Sequence, residues 1–309
     1  MQKKVACIGN ALVDKVCMLQ SDDLLCEQNL PKGSMQLIDE KESKRLQAFT
    51  QELKSTLATG GSAANTASGT ANMGIETTYI GMVGDDELGD FYIQDMQQNN
   101  ISTCIFRNSD MQTGLALALV SPDGERTFAT NLGAAITLSA DNIGQSLFEG
   151  CEYLHIEGYL ISNHDLFEKI ITCGRQAGCK ISIDLASYNV VEENLDYLKR
   201  VCKGVHIIFA NEEEAKAFSG KEAEEALEYI AQYADIGVVK VGETFRNKID
   251  TTGAGDLYAG GFLAGLCMDK DLSICGKMGS VLAGNVIEVM GTKMDCERWN
   301  KIKTEIASL

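Results

Sequence analysis

The 309-residue sequence predicts a doubly wound α/β fold: a mainly parallel sheet flanked by helices, with a small β-sheet lid. Six apolar runs, at 4–9, 77–83, 152–156, 180–185, 205–210 and 236–241, are mostly continuous rather than alternating, as in parallel strands buried on both faces. Helical patterns fall between them, and strand–helix alternation of this kind builds a parallel sheet. Four further strand-like segments, 15–20, 33–38, 101–107 and 114–121, lack crossover helices, which predicts antiparallel pairing into a second, smaller sheet.

The elements follow in order. "KVACIG" at 4–9 opens the main sheet, and Asp14 follows Gly9 by five residues, over that strand's carboxyl end. Leu46, Phe49, Leu53 and Leu57 share one helical face, as do Leu166, Ile170 and Ala177, while 222–234 reads as a surface helix. Asn211 is placed to cap a helix whose first turn is acidic. After the strand at 236–241, "DTTGAGD" turns into a helix with Leu257, Phe262 and Leu266 on its buried face and Thr252 as N-cap. Proline occurs only at 31 and 122, and no repeat or linker interrupts the pattern. The expectation is one domain over 1–309 with a discontinuous lid drawn from about 15–40 and 101–130.

Composition narrows the function. With 27 Lys and Arg against 44 Asp and Glu, the net charge of −17 repels phosphate backbones and anionic headgroups, which argues against nucleic acid and membrane surfaces as partners. Eleven cysteines without a CxxC pair, several among apolar neighbours, read as reduced core thiols. No apolar stretch has the length of a signal peptide or a membrane span, and a cytoplasmic location is expected. The three histidines, His155, His164 and His206, lack metal-ligand spacing.

Chemistry concentrates at "IDTTGAGDLYAGGF", 249–262. Gly253 and Gly255 clear side chains from a helix start, so the amides of Gly253, Ala254, Gly255 and Asp256 face an anion at the positive end of the helix dipole. Asp256 conflicts with that anion site unless it accepts a proton from a hydroxyl attacking phosphorus, while the amides stabilise charge on the transferred group. A capping Asp in a glycine-rich turn is the bland alternative for this stretch alone.

This stretch resembles the C-terminal motif of the ribokinase-like, or PfkB, carbohydrate kinase family. "GGSAANTASGTANMGIETTYIGMVGDDELGD" at 60–90 resembles the family's N-terminal motif. The likeness runs from "CIGNALVD" to "GNVIEVMGTKM" and has the character of the adenosine-kinase-like branch. It implies an ATP-dependent kinase acting on a small-molecule sugar or nucleoside, with Asp14, Gly61 and Asn65 holding sugar hydroxyls. It also implies that Asn211 and Glu214 organise Mg²⁺ and water around the phosphates, Glu214 acting through water. Asp184, Lys240 and Gly242 fall near the phosphate donor, and Asp250 and Thr252 where relatives hold a monovalent cation, so K⁺ activation is implied.

Several readings stay open on the residues alone. Lys240 reads equally as a strand-edge charge, and Arg126 as a hairpin-end charge or a group closing over substrate or phosphate. Phe106 and Phe128 read as nucleobase platforms or as apolar cover. Only Glu243 to Ile249 separate "VKVG" from "DTTGAGD", where relatives carry a longer stretch, so nucleotide coverage departs from the family pattern. "GGSAAN" lacks the lysine of "GGKG"-type relatives, which disfavours an already phosphorylated sugar and leaves nucleosides, ketoses and pentoses. A catalytically silent nucleotide- or sugar-binding protein on the same scaffold is the second reading. Exposed lid edges allow either a monomer or a homodimer.

Overall fold

The computed structural model describes residues 3–242 and 249–309; the expected contraction at 243–249 lies, but for Ile249, outside the described residues. Twelve strands are present among them: β1 Lys4–Ile8, β2 Leu12–Met18, β3 Met35–Leu37, β4 Ser55–Gly60, β5 Glu76–Gly84, β6 Ile101–Asn108, β7 Gly114–Val120, β8 Arg126–Asn131, β9 Tyr153–Glu157, β10 Lys180–Asp184, β11 Val205–Asn211 and β12 Ala234–Lys240. Seven form a parallel sheet in the order β12-β11-β10-β9-β1-β5-β6. The six continuous apolar runs are all in it. Their side chains alternate between two cores: Val5 and Cys7 face the Ser62–Asn72, Ala254–Cys267 and Leu272–Val286 helices, while Ala6 and Ile8 face the His164–Gln176 helix.

The order reverses beside β1, with β5 on one side and β9 on the other, and such a switch opens a crevice beyond the carboxyl ends. Glu157, Asp184, Asn211 and Lys240 end their strands there, with Asp184 registered against Glu157 and Asn211 against Lys240.

The remaining five strands form the smaller sheet, ordered β3-β8-β7-β2-β4. Three expectations change here. Residues 101–107 do not join it: β6 pairs parallel with β5 on the edge of the large sheet, because the Glu87–Gln98 helix between them makes a crossover unit. The small sheet is mixed instead of antiparallel, since β2 runs parallel to β7 and β3 to β8. The helix carrying Leu46 and Phe49 ends at Phe49, so Leu57 falls on β4, which pairs antiparallel with β2.

The two glycine-rich segments meet by packing. A Cβ on Gly260 would stand 3.0 Å from Gly69 Cα, and one on Gly261 2.7 Å from the Met278 carbonyl oxygen. These glycines let the Ala254–Cys267 helix approach its two neighbours closely, which accounts for half of the glycine content of 249–262 without any ligand.

Candidate active site

The Ala254–Cys267 helix begins inside the crevice. Its N-cap is Gly253, at φ +73° in the left-handed region, and not Thr252, whose hydroxyl donates instead to Asp250 Oδ1 at 2.8 Å. A side chain at 253 would be strained, and its Cβ would stand 2.4 Å from Thr292 Cγ2. Among the described residues, the amides of Gly253, Gly255 and Asp256 have no acceptor, whereas the Ala254 amide donates to the Thr251 carbonyl at 3.2 Å. Three free donors therefore remain of the four expected.

The Asp256 carboxylate is held from the other motif. Ser62 Oγ donates to Oδ1 at 2.8 Å, Asn65 Nδ2 to Oδ2 at 2.9 Å, and Thr66 Oγ1 to the backbone carbonyl at 3.1 Å. Asn65 thus orients the carboxylate. Burial and the nearby Asp184 charge push the Asp256 carboxyl up to about 6, against the lowering effect of its two side-chain donors.

A cleft of about 270 Å³ opens in front of these groups. Asp184, Asn211, Glu214, Lys240, Gly253, Gly255 and Asp256, all singled out from the sequence, line it together with Ala186. Lys240 ends the edge strand β12 but is not a solvated charge: its Nζ donates to Asp184 Oδ2 at 2.9 Å, in a pair with little exposure. That ammonium offsets the burial of Asp184 and holds its carboxyl below the ordinary range. Gly242 does not line the cleft, since it lies exposed past β12 with its amide donating to Glu212 Oε2 at 3.2 Å.

Asn211 and Glu214 close a reciprocal capping box. Asn211 Oδ1 accepts the Glu214 amide at 2.8 Å, and Glu214 Oε2 accepts the Asn211 amide at 2.8 Å. Asn211 Nδ2 adds a bond to Glu214 Oε1 at 2.7 Å. Burial and the Asp184 charge push the Glu214 carboxyl up to about 7. Each Glu214 oxygen retains one acceptor site, and carboxylate oxygens of this kind suit the water shell of a hydrated hard cation such as Mg²⁺. Direct ligation is not built in: among the described residues no group of three or more His, Cys, Asp or Glu could hold a metal.

The small sheet carries the other wall. Asp14 lies on β2, within the small sheet rather than in a turn, against Gly60, where an added Cβ would be 2.3 Å from Asp14 Oδ1. Burial pushes its carboxyl up to about 7 despite Arg126 and Lys293 nearby. Gly61, at φ +96°, presses its backbone on Asn10, whose carbonyl oxygen a Cβ would approach to 2.2 Å. Register places Ala116, Thr130 and Leu37 in one row with Asp14, and Val16, Ala118, Phe128 and Met35 in the next. Cys17, Leu117 and Leu119 pack into the opposite face, leaving Met35 and Leu37 on the Asp14 face 65% and 72% exposed. Phe106 instead packs against the core beside the His164–Gln176 helix.

Arg126 reaches across from β8 to Asp250, with Nη1 2.8 Å from Oδ2 and side chains 9% and 5% exposed. Asp250 also accepts the Gly291 amide at 2.7 Å and the Thr252 amide at 3.1 Å. The carboxylate expected to hold a monovalent cation is therefore filled by proton donors and offers K⁺ no free oxygen.

Sequence reasoning missed the buried Glu157. It accepts Asn10 Nδ2 at 2.8 Å and the Ala63 amide at 3.0 Å, fixing the start of the Ser62–Asn72 helix against β1. It also missed Ser62, and Lys293, which donates to Asp95 Oδ2 at 2.7 Å. These contacts join residues far apart in the chain, and no local pattern announces them.

A family model described as pfkB family carbohydrate kinase matches residues 34–299. The adenosine kinase of Saccharomyces cerevisiae is 27% identical over 340 residues, covering 96% of this chain and 98% of that one. The solved adenosine kinase from Sinorhizobium meliloti superposes with a TM-score of 0.86 at 27% identity, covering 99% of this chain and 100% of that one. A probable sugar kinase from Rhizobium etli also gives 0.86, at 28% identity and 98% coverage of both chains.

Proposed function

Since the chain belongs to the pfkB family of carbohydrate kinases, with the ribokinase-like fold of its solved relatives, we propose that it transfers the γ-phosphoryl group of ATP to a hydroxymethyl of a furanose-containing acceptor, and that the acceptor is a nucleoside. The observation that carries the transfer is the Asp256 carboxylate, oriented by Ser62 and Asn65, beside three unengaged amides. The acceptor oxygen gives its proton to Asp256 as it forms the new P–O bond. The bond from the γ-phosphorus to the bridging oxygen breaks, and ADP leaves. The amides of Gly253, Gly255 and Asp256 face the charge on the transferred group. Lys240 offsets phosphate charge behind Gly255, where an added Cβ would be 3.0 Å from its Nζ.

Mg²⁺, when bound, neutralises phosphate charge in a cleft that already holds three carboxylates. Glu214 and Asn211 would hold its water, and Asp184 would add charge. Asp14 accepts the sugar hydroxyls beside Gly61. The small sheet serves as the lid of a single domain and excludes water as a competing acceptor. Its exposed Met35 and Leu37, with the half-buried Phe128 in the same row as Met35, suit the flat face of a nucleobase better than a free sugar's hydroxyls. Among the described residues no helix is long and apolar enough to cross a membrane. Eleven free cysteines fit a reducing cytoplasm.

The test is ADP release with adenosine, inosine, guanosine, ribose and fructose, using Asp256→Asn as control. Turnover of the nucleosides well above the free sugars is expected. The reverse order rejects the acceptor, and silence across the panel rejects the transfer.

A further inference from the structure

We infer that Arg126 is the resident cation of Asp250, standing where the family resemblance implies a monovalent ion, so that neither stability nor turnover of this protein depends on K⁺. The inference rests on the kinase reading only for its rate measurement.

Three observations carry it. Asp250 is saturated: Oδ2 accepts Arg126 Nη1 and the Gly291 amide, and Oδ1 accepts the Thr252 amide and hydroxyl. The Ile287 carbonyl beside this turn is also engaged, accepting the Ile249 and Asp250 amides at 2.8 and 3.1 Å. A hard monovalent ion needs several free oxygens, whereas each of these points at an N–H or O–H. Second, the arginine supplies the charge without dilution, because the pair is almost fully shielded from water. Third, its guanidinium is committed to this carboxylate. Nη1 also lies 3.4 Å from Thr252 Oγ1, and Asp250 is the only carboxylate in salt-bridge contact with the guanidinium among the described residues.

The consequence is positional. Asp250 Oδ1 holds Thr252, and Thr252 precedes Gly253, whose left-handed conformation starts the helix with its free amides. An ion from solvent would hold this turn whether or not the small sheet were in place. An arginine on β8 holds it only while β8 is seated. Arg126 is thus a positioning residue that makes the anion-binding turn answer to the small sheet.

Melting temperature and initial rate are compared in potassium chloride and choline chloride at equal ionic strength, since screening alone shifts exposed charges. The wild-type protein should melt identically in both and differ in rate by less than about twofold. Arg126→Ala strands a buried carboxylate. It should melt below wild type by the same amount in both salts, because the Gly291 and Thr252 donors still occupy Asp250 and the Ile287 carbonyl stays engaged. A wild-type melting point that rises with potassium overturns the inference. So does an Arg126→Ala protein that melts with wild type, or one that potassium alone restores. Arg126→Gln, which keeps the side chain's bulk, replaces the alanine variant if that fails to fold, and the wild-type comparison decides alone if neither folds. Melting is measured without turnover, so the role of Arg126 at Asp250 is decided even if the kinase reading fails.

Discussion

Replacing Asp256 by asparagine should remove turnover and stabilise the protein at the same time. The substitution keeps shape and both neighbours: the amide oxygen can accept from Asn65 Nδ2, and the new amide nitrogen can donate to Ser62 Oγ. What disappears is the charge and the proton acceptor. A positioned general base contributes about 10²- to 10⁴-fold, so the rate should fall by at least about a hundredfold. The stability change follows from the carboxyl's rise from 3.8 to about 6. At about 1.4 kcal/mol per tenfold change in proton affinity, that rise is a penalty of roughly 3 kcal/mol on the ionised folded state, reduced to about 1–3 by the carboxylate's partial contact with solvent. A carboxyl raised on folding binds its proton more tightly in the folded chain. The penalty is therefore absent below the unfolded value near 4, grows between about 4 and 6, and is complete above 6. Asparagine escapes it. The variant should melt a few degrees above wild type at pH 8, and the advantage should vanish toward pH 4. The wild-type kcat/KM should fall as pH drops below about 6, where Asp256 takes up its proton, and the variant's residual rate should lack that limb. Paired ADP-release and thermal-melting measurements across this range check both halves. Turnover within tenfold of wild type refutes the base, and a lower melting point at pH 8 refutes the electrostatic reasoning.

Two further outcomes follow from the same geometry. Ser62→Ala removes a donor that favours the ionised carboxylate, so the acid limb of kcat/KM should move toward neutral pH with a loss of about tenfold or less at pH 8; a limb that stays in place disproves the contact's role. Glu214→Gln retains a capping-box residue while deleting the charge, so folding should be unchanged or improved while the Mg²⁺ needed for half-maximal rate rises about 10- to 100-fold; an unaltered Mg²⁺ titration removes Glu214 from that role.

The large sheet was readable because each strand is buried on both sides and leaves a continuous apolar run. The second sheet was harder. Leu53 and Leu57 continue a helical spacing that Thr50 ends, and tertiary pairing with β2 takes Leu57 into a strand. β6 looked like a lid strand because half-buried edge strands and lid strands share a composition. The helix before it was the discriminating signal. Residues lining the cleft were legible where a motif carries them, as at Asn211 and Glu214. Glu157 closes an otherwise ordinary strand and acquires meaning only when Asn10 and Ala63 arrive from elsewhere in the chain. The state of Asp250 was likewise unreadable, since Arg126 is 124 residues away in the chain, the difference between 250 and 126.

The small sheet is entered and left twice by the backbone: at Gly9–Ala11 between β1 and β2, at Gly61 after β4, at 109–113 between β6 and β7, and at Leu132 after β8. A layer stitched on by four threads cannot swing like a door on one hinge. Any tilt must bend several threads together, and two of them, at Asn10 and Gly61, touch each other beside Asp14. Movement of this layer and reshaping of the corner that holds Asp14 are for that reason a single mechanical event.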